Sequence, residues 1–372
     1  MSAAVWIDTP AALEKAVSAL QPTGWLALDT EADSMHHYKE SVCLASVRLG
    51  KTTLLIDPIA IPWETLAPFW KVTTAVPWII QGADFDLRLM RRIGAPEPPE
   101  VFDTMIGAQL CGLKAIGYAG LVHYFFNITL SKASQKADWS ARPLTPAMLD
   151  YAAQDVFYLD GIREHLTARL KELGRLEWHK ESCAKVVRTS RITKEFDPEE
   201  VWRINGSSKL EESALPILRA LWHWREAEAK ERDVPTFKIV NGDRLVEIAA
   251  WSDAHRKNDH LPGSLYPGGC RGARGLRFQE ALRVGKAAPP IPHLPSEPRA
   301  RRDTAVDRRV EKLKKGRDEI AHKLQLDPSL LAPKATLFTL AQEGKAGAER
   351  LIGESRWCSW QAELLGPVLN AA

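Results

Sequence analysis

Two carboxylates one residue apart, Asp29 and Glu31, close the short apolar run of LALDTE. In a strand, residues two apart face the same side, so both acids can point into one site. Far along the chain, in YAAQD, Tyr151 and Asp155 stand four apart and share one face of a helix. Between these pairs, QGADFDLRLM passes from a strand running to Gln81 into a helix beginning near Asp86. Asp84 and Asp86 are both candidates there, and helix N-capping competes with chemistry as the explanation of each. Acids gathered within about 4–6 Å repel, and some take up protons unless a cation neutralises them. All-oxygen ligands select Mg²⁺ or Mn²⁺ over zinc or copper. Two such ions about 3.5–4 Å apart activate a water and stabilise the leaving oxygen of a phosphodiester. Phosphodiester hydrolysis with two divalent ions is the expected chemistry.

The elements that must position these residues follow from periodicity. Trp25–Leu28, Cys43–Leu49, Thr53–Ile56 and Trp78–Ile80 are short segments of β character bounded by Gly, Pro or charge. A helix is expected around Trp63–Trp70 and another from Asp86 to Ile93. Connections among the first three strands are too short for a helical crossover, which makes those strands antiparallel neighbours. The result is an α/β domain with a mixed sheet and flanking helices. From Leu144 onward the pattern is helical almost to the end, and Thr145–Pro146 supplies an N-cap with proline at the first helical position. Ser207 to Trp251 reads as helical, and the Gly-rich stretch 261–275 reads as a loop, because no GK[ST] or preceding strand accompanies it.

Residues 285–298, GKAAPPIPHLPSEP, form a Pro-rich linker. The basic run that follows, from Arg299 through Arg301, Arg302, Arg308, Arg309, Lys312, Lys314 and Lys315 to Arg317, fits a solvated helix face or a contact to phosphates. A final helical unit spans 306–372.

At 372 residues the chain is long enough for two or three domains. An apolar fraction of 45% with 26% charged residues excludes a disordered or fibrous chain. No apolar run reaches the roughly 18–20 residues that span a bilayer. The N-terminus lacks a basic region followed by an apolar block, so a cytoplasmic protein is expected. Five dispersed cysteines without a CxxC pair suggest buried, reduced thiols rather than a zinc ribbon or a disulfide framework. The net charge of +3 is nearly balanced, so any polyanion must be met by local basic patches.

LDTE, GADFDLRLM and YAAQD, in this order and at these separations, resemble the three motifs of DEDD-superfamily exonucleases of the tyrosine subclass. VFDTMIGAQL and DWSARPLTPAMLDYAAQDVFYL look specifically like the ribonuclease D family, and residues from about Trp202 to Leu282 resemble an HRDC module. The resemblance implies a ribonuclease H-like exonuclease domain over 1–175, an HRDC domain over 202–284, a Pro-rich and basic linker over 285–305, and a second, more divergent HRDC-like domain over 306–372. It implies Asp29, Glu31, Asp86 and Asp155 as ligands of two divalent ions, with Tyr151 orienting the attacking water. Asp103, in FDTM, matches a recurrent acid of the family and is expected to support the site from behind. Thr30, Gln81, His36 and His37 are candidate substrate contacts, and Gln81 stands where the family often has histidine.

The implied activity is 3′–5′ exoribonuclease action on RNA with an accessible single-stranded 3′ end, transfer RNA precursors among them, by a monomer. A DNA 3′–5′ exonuclease would use the same acids, and a non-catalytic nucleic-acid-binding protein on a nuclease scaffold is the third reading.

Overall fold

The computed structural model describes residues 4–192, 197–258, 260–294 and 303–371. They form two compact units. The first joins residues 1–32, 42–193 and 301–372; the second joins 33–41 to 194–300.

The first unit is built on a six-stranded sheet. Its strands are β1 (Val5–Ile7), β2 (Leu26–Ala32), β3 (Val42–Leu49), β4 (Thr52–Ile56), β5 (Trp78–Ile80) and β6 (Val101–Asp103), in the order β1-β4-β3-β2-β5-β6. The meander β2-β3-β4 is antiparallel, as the short connections require, whereas β5 and β6 add in parallel. β2 runs on to Ala32, beyond the apolar segment. Its two acids therefore lie inside the ladder, Asp29 opposite Ser46 and Glu31 opposite Leu44, with an irregularity just after Glu31. β1 and β6 are three residues each, too short to carry an alternation that the sequence alone would reveal.

Helices cover both faces. α1 (Pro10–Ala19), α2 (Ala67–Thr73) and α3 (Ala83–Arg92) pack with Leu26, Leu28, Val47 and Trp78 into one core. A 3₁₀ turn, Trp63–Leu66, precedes α2 in the segment where one helix was expected. On the other face lie α4 (Thr104–Leu110), α5 (Tyr118–Phe126), α6 (Pro146–Phe157) and α7 (Leu159–Glu172), while α8 (Leu176–Thr189) packs against β6 at the sheet edge and sends Val187 into the first core. Ala27, Ile79 and Phe102 meet Leu121, Val156, Ile162 and Leu166 there. Thr145 caps α6 as expected, its hydroxyl accepting from Met148 N–H, and Pro146 occupies the first turn.

The second unit holds α9 (Leu215–Glu231), α10 (Thr236–Ile239), α11 (Gly242–Ala254) and α12 (Gly272–Ala287) around a core of Trp202, Leu218, Leu221, Trp224, Leu245, Ile248 and Phe278. The helical stretch expected over 207–251 is thus broken into pieces. α12 begins inside the Gly-rich stretch and continues to Ala287, past the expected start of the linker.

α13 (Thr304–Leu324), α14 (Pro328–Leu331), α15 (Lys334–Gly353) and α16 (Ser359–Ala371) belong to the first unit. Trp360 stacks on Trp178 at 4.8 Å between ring centroids and donates to Ser182 Oγ, while Arg175 donates to Leu110 O and Leu324 O. Arg308, Arg309, Lys312, Lys314, Lys315 and Arg317 lie on α13; Arg299, Arg301 and Arg302 fall outside the described residues. All five cysteines are buried thiols outside any disulfide.

Candidate active site

Asp29 and Glu31 leave β2 on the face that carries Ala27, the face covered by α6. Tyr151 and Asp155, one turn apart on α6, approach from above, and the Tyr151 hydroxyl bonds the Asp155 carboxylate. One oxygen each from Asp29, Glu31 and Asp155 lies within 4.8 Å of the others, a set able to hold a metal ion. Asp86 is not part of that set. Its carboxylate accepts the Thr30 hydroxyl at 2.6 Å, and it is 5% exposed. Its charge still reaches Asp29 and Glu31. The Thr30 hydroxyl is thereby committed to holding Asp86.

Electrostatics mark this as an uncompensated cluster. Burial, and then the charges of Asp155 and Asp86, push Glu31 up to about 9. Asp29 is raised well above the carboxylate range by burial and by Asp86, Asp155 and Glu31 in turn. Asp86 titrates at about 7, burial outweighing the bonds from Thr30, and Asp155 at about 7, burial outweighing the Tyr151 hydroxyl. Acids in this state fit a divalent cation: the donors are oxygens, they converge, and burial and mutual repulsion oppose their charge.

Neither Asp84 nor Asp86 caps α3. The helix starts at Ala83 behind Gly82, whose left-handed backbone (φ 74°) a side chain would strain. The capping group comes from β6. Asp103 accepts N–H bonds from Gly82 and Ala83 on α3 and from Met105 and Ile106 on α4, so one buried carboxylate holds two helix N-termini. It supports the helix that carries Asp86.

A cavity of about 280 Å³ opens on Asp29, Tyr151 and Asp155 and is closed by Gln81, Tyr118 and Lys132. Gln81 spends its amide inside the protein, donating to Ile116 O and accepting from Thr104 Oγ1. Tyr118 donates to Gln154 O on α6. Tyr118, Lys132 and Gln135 of this wall were not singled out in the sequence; they sit in the Gly-Tyr and SKASQ segments, which carry no pairing or spacing of their own.

In the second unit, His37 Nδ1 lies 2.7 Å from Asp233 Oδ2, the Tyr38 N–H donates to Asp233 Oδ1, and the Tyr38 hydroxyl donates to Glu226. The histidine segment is thus tied to the loop after α9 and to α9 itself; His36 lies in the same segment.

Residues 4–171 match the DNA_pol_A_exo1 family, a 3′-5′ exonuclease, and residues 214–251 match the HRDC domain family. The chain is 29% identical over 374 residues to ribonuclease D of Xanthomonas oryzae pv. oryzae, covering 99% of both chains. It is 30% identical over 288 residues to ribonuclease D of Gluconacetobacter diazotrophicus, covering 77% of this chain and 72% of that one. Its fold is similar to the crystal structure of Escherichia coli RNase D, an exoribonuclease involved in structured RNA processing, with a TM-score of 0.71, 24% identity and coverage of 99% and 98% of the two chains. The chain belongs to the ribonuclease D family of 3′–5′ exonucleases.

Proposed function

We propose that this protein removes nucleotides one at a time from the 3′ ends of RNA, in a reaction that depends on divalent Mg²⁺ or Mn²⁺. The observation that carries this reading is the convergence of Asp29, Glu31 and Asp155 oxygens within 4.8 Å, beside the cavity and under the Tyr151 hydroxyl. Asp29, Glu31, Asp155 and Asp86 would hold two ions, which when bound supply Lewis acidity at the scissile phosphate.

The residues of the chain do the rest. The cavity takes the terminal nucleotide and limits entry to an unpaired strand. Tyr151 keeps its proton at neutral pH, since burial and the neighbouring acids raise it, so the hydroxyl orients a water rather than removing its proton. Asp155 accepts from that hydroxyl and so fixes its direction. Thr30 and Asp103 hold α3 and Asp86 in register with β2.

Precursors of transfer RNA are the proposed substrates, a reading supported by family membership. Digestion of 3′-labelled and 5′-labelled RNA and matched DNA, with Mg²⁺, with Mn²⁺ and with chelator, tests the whole of it. The expected result is release of nucleoside 5′-monophosphates from RNA 3′ ends, abolished by chelator and by Asp29→Asn. Release from 5′ ends, internal cuts, or turnover surviving chelation would overturn it, and equal turnover of DNA would reassign the substrate.

A further inference from the structure

Ahead of α6 the chain runs Asp138-Trp139-Ser140-Ala141-Arg142-Pro143-Leu144, and Arg142 spends every donor it has inside the protein. Nε donates to Asp57 Oδ2 at 2.6 Å and Nη2 to Asp57 Oδ1 at 2.8 Å, a fork on a carboxylate. Nη2 also donates to Cys43 O at 2.8 Å, and Nη1 to Trp139 O at 2.7 Å and Ala141 O at 2.8 Å. A guanidinium carries five N–H bonds, and five acceptor bonds meet it here. Nothing remains for a phosphate, so Arg142 is not an RNA contact.

What the five bonds join is the region under the reaction centre. Cys43 lies on β3 beside Leu44, the register partner of Glu31. Asp57 follows β4, is 2% exposed, and is itself fixed by the N–H groups of Ile59 and Ala60. Trp139, 1% exposed, places its ring 6.0 Å from the ring of Tyr151. Trp139 and Leu144 share a core with Leu44 and Leu55 of the sheet and Met148 and Ala152 of α6. That apolar core holds α6 down but has no directional preference of its own. The directional bonds between residues 139–142 and the sheet are those of Arg142.

We propose that Arg142 is a positioning residue: by clasping residues 139–142 onto β3 and the end of β4, it sets where α6 presents Tyr151 and Asp155 over Asp29 and Glu31. The proposal rests on the reading that these four residues form the reaction centre. A displacement of about 1 Å at such a centre is enough for a loss of about 100-fold.

The test uses the full-length protein and Arg142→Lys, which keeps the charge but replaces a planar fork by a point donor. On protein shown folded by near-UV circular dichroism, at saturating Mn²⁺, kcat falls about 10- to 100-fold while KM for a single-stranded oligoribonucleotide changes little. Tyr151→Phe is made alone and in combination. Because Arg142 acts through α6, the double variant loses less than the product of the two single losses. Should Arg142→Lys fail to fold, Asp57→Asn, which keeps the shape of the partner, is put through the same measurements. Unchanged kcat per folded molecule, or a double variant whose loss equals the product, overturns the clasp. If Tyr151→Phe alone retains full kcat, it is the reading of the reaction centre that fails, a result separable from the other two.

Discussion

Replacing Asp155 by asparagine should have opposite effects on stability with and without metal, and the structure indicates by how much. Without metal, Asp155 titrates near 7 instead of 3.8, chiefly because it is buried. At about 1.36 kcal/mol per pH step, that displacement caps the strain of the charged form at about 4 kcal/mol. Asp155 keeps some contact with solvent and shares its repulsion with Asp29 and Glu31, so about 2 kcal/mol is the expected gain on removing the charge. The sign follows from linkage. The folded-state value is raised, so below about pH 4 both states are protonated and nothing is lost. Between about pH 4 and 7 the unfolded chain ionises first and the folded protein loses stability, and above that the loss is constant.

Urea unfolding of wild type and Asp155→Asn at pH 5 and pH 8, each with chelator and with Mn²⁺, reads this directly. In chelator the variant is more stable at pH 8, by about 2 kcal/mol, and the advantage shrinks at pH 5. In Mn²⁺ the order reverses, because wild type gains binding energy through a ligand that the variant lacks. A variant that is less stable than wild type in chelator at pH 8, or that gains as much from Mn²⁺ as wild type, would refute the reasoning.

Three further outcomes follow from particular contacts. Asp103→Asn turns an amide NH₂ toward N–H groups that now donate to a carboxylate; it should cost about 1–3 kcal/mol and lower turnover through α3, and an unchanged urea midpoint would remove Asp103 from this supporting role. His179 is buried, which pushes it down to about 4. From about pH 6.5 to 4 the unfolded chain takes up a proton that the folded protein refuses, costing up to about 3 kcal/mol. The wild-type stability minus that of His179→Asn should therefore fall across this window and be flat above it; a flat difference throughout would contradict the burial argument. Gly285→Ala places a Cβ 2.6 Å from Ile217 Cα and 3.1 Å from Pro216 O, where α12 crosses α9. A loss of about 1–3 kcal/mol is expected in calorimetry of the full chain, and an unchanged transition would mean that the helices part freely.

What could be read from the sequence was local. The acid pair at the end of β2, the one-turn spacing of Tyr151 and Asp155, the Thr145–Pro146 helix start and the antiparallel meander all depend on neighbours a few residues apart, where strand and helix periodicity alone decides which side chains share a face. Family motifs extended this to the expected ligand set.

The tertiary structure decided the contacts between distant segments. α3 is capped by Asp103 from β6 rather than by its own Asp84 or Asp86. The Thr30 hydroxyl holds Asp86 across 56 positions, and the Gln81 amide bonds Ile116 O and Thr104 Oγ1. Arg142 reaches Asp57 across 85 positions, and Trp360 stacks on Trp178, so the last helices share a unit with the sheet while residues 33–41 join the other unit. A capping or clasping residue leaves no periodic trace at the segment it serves, because its partner is chosen by the closure of the chain and not by spacing along it.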